Sequence, residues 1–320
     1  MLRFTAKRLV LSIPILFIAS VLVFVAVKSS TDPSAVRAPG IRAEDILRMR
    51  REMGLDRSNT SQYFTWLGHF LTGDLGSSLK TNLPIWPDLR TAIWNTLQLG
   101  AFAFVIYITL GIGVGMISAY KQYSWFDTLT TSTSFLGLSL PPAFFGLILQ
   151  LVFVLSWQDH FGETPFFTSR MNSPGIDGFG RDRLMHMILP AAAIAVQQVA
   201  VYSRYMRSSM LEVLNSDFLR TARAKGISER RVLIRHALRN ALIPVTTFAA
   251  IDIGTIMGGL VITEQIFEWP GMGKYFLDAF RNGDYFQVLP WMMIVVLAVI
   301  VLNLIADILY GVLDPRIRLD

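Results

Sequence analysis

Residues 217–244 read DFLRTARAKGISERRVLIRHALRNALIP, a basic, glycine-hinged segment lying between two strongly apolar ones. From residue 204 to residue 239 the chain carries nine Lys/Arg against three acids, Glu212, Asp217 and Glu229. Residues 217–225 favour helix, Ser216 or Asp217 can cap its start, and Gly226 suits the left-handed position that ends helices. Ser228 can then cap a second helix. The expected order is helix, glycine turn, helix, with Phe218, Leu219 and Ala222 on one side of the first and Arg220, Arg223 and Lys225 largely on the other. The small residues Thr221, Ala222 and Ala224 allow close approach. An apolar anchor inside a charged rim is what a groove on a soluble partner accepts. A cytoplasmic loop that only keeps positive charge inside explains the charge but not this order. A DNA-binding helix-turn-helix would also be basic and glycine-turned, but a place between two membrane spans argues against nucleic acid as the partner.

The flanking sequence makes the bilayer the solvent. Hydrophobic residues make up 52% of the 320-residue chain and charged residues only 16%, too few for a water-exposed surface of this length. The net charge of +6 sits around the apolar spans, where membrane lipid and positive-inside orientation account for it. Residues 9–27, preceded by Arg3, Lys7 and Arg8, form an uncharged run of 19 residues. A signal-peptide core is about 7–15 residues and a spanning helix about 20, so this run reads as an uncleaved first span with its N-terminus in the cytoplasm. Further apolar runs at about 96–119, 129–156, 184–205, 242–263 and 288–310 make the expected class an all-α integral membrane protein with six transmembrane helices and both ends inside. On that topology the inner segments carry fifteen Lys/Arg and the short outer loops five. The long outer segment from Lys28 to Ile93 crosses largely regardless of charge.

Four further patterns bear on packing. In the outer segment, residues 43–53 (AEDILRMRREM) have helical spacing with Gly54 as a C-cap, and residues 63–71 (YFTWLGHFL) are a second amphipathic stretch. These fit either a surface loop on the membrane interface or a small extracytoplasmic cap. Gly111 to Gly115 and Gly254 to Gly258 form GxxxG patterns that let helices approach closely in lipid. Pro141 and Pro142 should interrupt the third span, which is tolerated only against protein or a watery cavity.

Enzyme classes find little support. There are no cysteines, and the four histidines, His69, His160, His186 and His236, are scattered without metal-ligand spacing, so no metal site is expected. No GxSxG or paired-carboxylate constellation occurs. The chain also lacks GxxxxGK[ST]: Gly271, Gly273 and Lys274 give GMGKY, with no glycine five positions before Gly273 and no Ser or Thr after Lys274. No nucleotide or other cofactor is therefore expected in this chain. Asp252 is the conspicuous charge inside a span. It is a candidate to line or gate a translocation path, or else to hold helices or a partner subunit together. Asp307 lies near the cytoplasmic end of the last span. Glu264 and Glu268, with Trp269 and Pro270, lie just outside the fifth span as candidates for a gate, a contact with a soluble partner or an interfacial turn.

Residues 220–226 (RTARAKG) followed by residues 228–244 (SERRVLIRHALRNALIP) resemble the EAA loop of ABC importer permeases, in the form found in the dipeptide and oligopeptide permease family. Arg220 stands where the general pattern has glutamate and Thr221 where it has the first alanine, while Ala222 and Gly226 match. This variation belongs to the peptide branch. The GLD of Gly54, Leu55 and Asp56, residues 62–79 (QYFTWLGHFLTGDLGSSL), residues 264–275 (EQIFEWPGMGKY) and residues 314–318 (DPRIR) are similar to the same family in the same order. The resemblance implies a first helix over 1–28, an extracytoplasmic segment over 29–93, an ABC type-1 permease domain over 94–313 and a cytoplasmic tail over 314–320. It also implies a second homologous permease subunit and two ATPase subunits, or one fused ATPase, which bind the ATP and Mg. An extracytoplasmic substrate-binding protein would deliver the peptide in the bacterial inner membrane. By position in the motif, ATPase coupling falls to Asp217, Phe218, Arg220, Thr221, Ala222, Arg223, Ala224, Lys225 and Gly226. The substrate stays open among dipeptides, oligopeptides, haem and nickel, with a slight leaning toward oligopeptide from overall likeness to that branch. The competing class is a secondary transporter or channel acting without ATPase subunits. The single evident internal charge and the lack of a detectable repeat speak against it.

Overall fold

The computed structural model describes residues 2–30, 56–162 and 166–313. The expected helix at 43–53 with its Gly54 cap, and the tail beginning at Asp314, lie outside them.

Among the described residues every long element is helical: α1 (Leu2–Ser30), α2 (Asn59–Leu71), α3 (Ile85–Tyr120), α4 (Trp125–Ser139), α5 (Pro142–Gln150), α6 (Arg181–Leu214), α7 (Asp217–Ala224), α8 (Leu238–Gly259), α9 (Val261–Ile266), α10 (Met272–Arg281) and α11 (Tyr285–Leu313). Four stretches are long and apolar enough to cross a membrane: Arg8–Ser29 of α1, α3, α6 and Tyr285–Ile305 of α11. The pair Trp125–Ser139 and Pro142–Phe153 makes a fifth if it is counted as one bent span. Helices overrun the apolar runs that announce them. The 36 residues of α3 correspond to about 54 Å at 1.5 Å per residue, against about 30 Å of bilayer hydrocarbon. Its first turn admits Pro87 because an N–H there has no helical acceptor.

The prolines break the apolar run at 129–156 as expected. The α4 and α5 axes meet at 99°. Leu140 and Pro141 each precede a proline, which excludes the helical region for them, and both are extended, with ψ of 136° and 143°. Pro142 then opens α5 at its first position, where proline is well tolerated.

The most extensive pairing is α3 against α6, and glycine makes it possible. A Cβ on Gly111 would lie 2.5 Å from Tyr202 Cβ, and one on Gly115 would lie 2.5 Å from the Ser203 carbonyl and 2.6 Å from Met206 Cβ. The first GxxxG is therefore a packing face. The surroundings of Gly254 and Gly258 fall outside the described residues. Around this pair a core including Leu99, Tyr107, Met187, Tyr202, Met206 and Met210 extends to Leu219, Val232 and Val245.

A second core ties α1 to α11 and to the outer segment. Tyr63 of α2 shares a buried cluster with Val23, Phe24, Val288 and Met293, and its hydroxyl bonds Ser20 Oγ at 2.7 Å. The residue 63–71 stretch is thus a helix seated on the protein, capped at Ser58, whose hydroxyl accepts from Ser61 N. Asp284 fastens the following loop by accepting from Ser78 Oγ (2.6 Å) and Leu79 N (2.9 Å). On its other side α1 exposes Val10, Ile13, Ile18 and Leu22, the kind of surface that lipid covers.

Candidate functional site

The basic segment folds as helix, turn, helix. Ser216 takes the extended N-cap backbone (φ −76°, ψ 148°), although its hydroxyl bonds back to Val213 O instead of capping. The helix α7 ends at Gly226, whose φ of +74° is the left-handed conformation expected of a C-terminal glycine. Ile227 N then closes the turn on Ala222 O (3.3 Å). Ser228 starts the next helical turn, again without a side-chain cap bond, and Val232–Ala237 continues as a π-helical stretch into α8.

The two faces of α7 divide differently from the periodicity. Leu219 is 0% exposed and Ala222 is buried beside it, both in the core that reaches Met210 and Val232. Phe218 parts from them and remains 47% exposed. Eight residues of helix define an apolar arc without saying which edge of it the protein itself consumes. Asp217, Arg220, Thr221, Arg223, Ala224, Lys225 and Gly226 are exposed with Phe218, whereas Ala222 fixes the helix from inside. Arg223 donates to both oxygens of Glu229 (3.1 and 2.9 Å) across the glycine turn. These bonds hold the Glu229 carboxyl below its ordinary pKa and raise that of the guanidinium. The result is a braced platform, with an aromatic ring and four flanking charges on its free side and its other side set in the core.

Asp252 is only 6% exposed and lies where α3, α6 and α8 meet. Tyr107 Oη (2.6 Å) and Tyr202 Oη (2.9 Å) donate to its Oδ2, and Gln198 Nε2 donates to Oδ1 (2.9 Å). Three helices thus share one carboxylate. The side chain of Asp307 lies outside the described residues.

Glu264 is 0% exposed and both its oxygens are occupied. Thr96 Oγ1 of α3 donates to Oε1 (2.5 Å), and Gly273 N (2.7 Å) and Lys274 N (3.2 Å), in the first turn of α10, donate to Oε2. A helix N-terminus is a natural seat for a carboxylate, because its first N–H groups lack helical acceptors. Thr96 also accepts from Met272 N (2.7 Å), while Trp269 Nε1 donates to Asn95 O and Asn95 Nδ2 donates to Pro270 O, both at 2.9 Å. A Cβ on Gly271 would collide with the Glu264 carboxyl. Residues 264–275 therefore form a staple that binds the α9–α10 corner to α3, and only Glu268 and Pro270 among its acid, aromatic and proline candidates are exposed.

One pair went unread in the sequence. Arg207 of α6 grips Asp127 of α4 with two hydrogen bonds, Nε to Oδ1 (2.7 Å) and Nη2 to Oδ2 (2.8 Å). Ser118 Oγ and Tyr123 N (2.9 Å) complete the carboxylate's shell. In sequence Asp127 is the fourth residue of Ser124-Trp-Phe-Asp, which looks like an ordinary helix cap. Ser124 does accept from Asp127 N at 3.3 Å. Among the described residues no group of three His or acidic side chains is placed to hold a metal.

With this geometry in place, comparison with known proteins is decisive. Residues 111–319 match the family described as binding-protein-dependent transport system inner membrane component, and residues 1–87 match its N-terminal companion. The chain belongs to this family. It is 37% identical over 336 residues to the dipeptide transport system permease protein of Escherichia coli (strain K12), covering 99% of each chain. It is 39% identical over 323 residues to the oligopeptide transport system permease protein of Bacillus subtilis (strain 168), covering 99% of this chain and 100% of the relative. The di/tripeptide transport system permease protein of Pseudomonas aeruginosa (strain UCBPP-PA14) is 38% identical over 337 residues, covering 99% of each. The permease is thus an inner membrane component, and α7 with its glycine turn lies inside the matched region.

Proposed function

We propose that this chain is one permease subunit of an ATP-driven importer that carries peptides across the bacterial inner membrane by alternating access. The observation that carries this reading is α7, whose inner residues Leu219 and Ala222 are set into the core while Phe218 stands free among Asp217, Arg220, Arg223 and Lys225. A helix held this way moves its neighbours when a docked partner moves it. The proposed partners are two ATPase subunits or one fused ATPase, which bind ATP and Mg, together with a second homologous permease and an extracytoplasmic binding protein.

In the proposed topology α8, with 22 residues, is the fifth of six spans, both termini face the cytoplasm, and α7 faces the cytoplasm with them. ATP-driven closure of the ATPases displaces α7. The displacement passes through Val232 and the Leu219 pocket into α6 and α8, which reorient about the Asp252 junction. Asp252 is proposed to hold the three-helix junction during this motion and to border the path. Glu264 is proposed to stabilise an outer gate formed by the residue 264–275 staple. Reconstituting the complex in liposomes with binding protein, peptide and ATP tests the reading: ATP-dependent peptide accumulation supports it, and accumulation by this chain alone would contradict it.

A further inference from the structure

Arg183 lies in the first turn of α6, beside α3, and is 9% exposed. Its Nε donates to Asn172 Oδ1 (3.1 Å) and its Nη1 to Gln98 Oε1 (3.1 Å), both neutral amides. Among the described residues no carboxylate pairs with it, and the neighbouring Asp182 is spent on Ser173, accepting from its N (2.8 Å) and Oγ (2.7 Å). Among the described residues its Nη2 makes no hydrogen bond, and Gln98 Nε2 is buried and also unpartnered. A guanidinium taken out of water without a counter-charge is costly, since buried charges are ordinarily paired. Arginine's fork also matches a carboxylate in a two-pronged geometry that a neutral amide cannot fill.

We propose that Arg183, with Gln98 Nε2, receives the C-terminal carboxylate of the peptide as it enters from the outer side. The placement rests on the peptide-import reading and on the proposed topology, which puts the start of α6 outside. A free α-carboxylate supplies the missing charge and two acceptor oxygens, one for Nη2 and one for the Gln98 amide. A lipid phosphate offers similar oxygens, but Arg183 is only 9% exposed and is held between Gln98 of α3 and the segment bearing Asn172.

The test uses the complete importer in liposomes, with the binding protein saturated by a tripeptide that ends in either a free acid or an amide. The same binding protein serves every arm, so its own preference cancels between wild type and variant. The expected result is that Arg183→Gln lowers uptake of the acid about tenfold, the loss expected for one charge-assisted hydrogen-bonded pair, while leaving the amide little changed, so that the acid-to-amide ratio collapses. Arg183→Lys keeps the charge without the fork and should give an intermediate ratio. It carries the test alone if Arg183→Gln fails to assemble. An unchanged ratio in either variant overturns the assignment, as does an equal fall for both peptides, which marks Arg183 as a pin for the Asn172 segment. A defect that appears only when anionic lipid is withdrawn identifies a headgroup as the ligand and also overturns it. If wild type imports neither peptide, the peptide-import reading itself fails, and this inference with it.

Discussion

Arg207 holds Asp127 through two near-parallel hydrogen bonds of 2.7 and 2.8 Å, joining α6 to the start of the broken span. The Asp127 carboxylate is almost wholly enclosed and the guanidinium is mostly so. Removing one partner leaves the other's charge uncompensated, which costs about 3 kcal/mol for such pairs. Asp127→Asn should therefore lower the thermal midpoint of the purified permease, and Arg207→Met should do the same. The double variant should lose less than the sum of the two, because its second substitution removes a charge already orphaned. Additive losses would show that the pair is not coupled.

The Glu264 staple predicts a loss confined to one corner. Glu264→Gln replaces a carboxylate oxygen with an N–H₂ group in a shell that offers only donors at Oε2, leaving at least one buried N–H without an acceptor. A cost of about 1–3 kcal/mol follows. Amide exchange should quicken at Gly273 and Lys274 while α7 is unaffected. Unaltered exchange at these two residues would remove the staple from the account.

Gly115 predicts a steric failure. A valine there would drive its Cβ into the Ser203 carbonyl and the Met206 side chain, so α3 and α6 must separate. Gly115→Val should destabilise by about 2 kcal/mol or more, whereas Gly113→Val, with open space around the same atom, should be nearly silent. Equal effects in thermal unfolding would mean that the α3–α6 contact is not as described.

Arg223 and Glu229 predict a weak pH dependence. The Glu229 pKa is depressed by its bonds to Arg223, so the pair's stabilisation is fully present above the ordinary glutamate range and is lost as pH falls through the lowered value. Both side chains are about 40% exposed, and the worth of the pair is at most about 0.5 kcal/mol. Glu229→Gln should loosen amide protection at Gly226 and Ile227 at neutral pH and make no difference at strongly acid pH. A variant effect that persists in acid would place its cause elsewhere.

What the sequence discloses here is local. Gly226 is legible because only a residue free of Cβ strain ends a helix cheaply at φ +74°, and Pro141 and Pro142 are legible because each excludes helix from the residue before it. The Asp127–Arg207 pair is not, since its members stand 80 positions apart and each has an innocent local reading, a helix cap and one more inner-face base. A wider separation, 168 positions, hid Thr96 beneath Glu264. Phe218 was grouped with Leu219 because a two-turn helix fixes an apolar arc only to within a residue or so, and the buried edge is chosen by Met210 and Val232 from other elements. The run at 242–263 reads as apolar although α8 carries Asp252, because Tyr107, Tyr202 and Gln198 satisfy that charge from outside the run.

If α7 transmits work from an ATPase to the spans, Gly226→Val should break that transmission. Open space surrounds a Cβ at this position within the chain, so here the substitution acts through backbone strain of about 1–2 kcal/mol in the turn that closes α7. The measurement is the ratio of peptide imported to ATP hydrolysed in liposomes holding the complete importer. The variant should still assemble and hydrolyse ATP while this ratio falls by about tenfold, the equivalent of such a strain. A variant that assembles and keeps the wild-type ratio would contradict it.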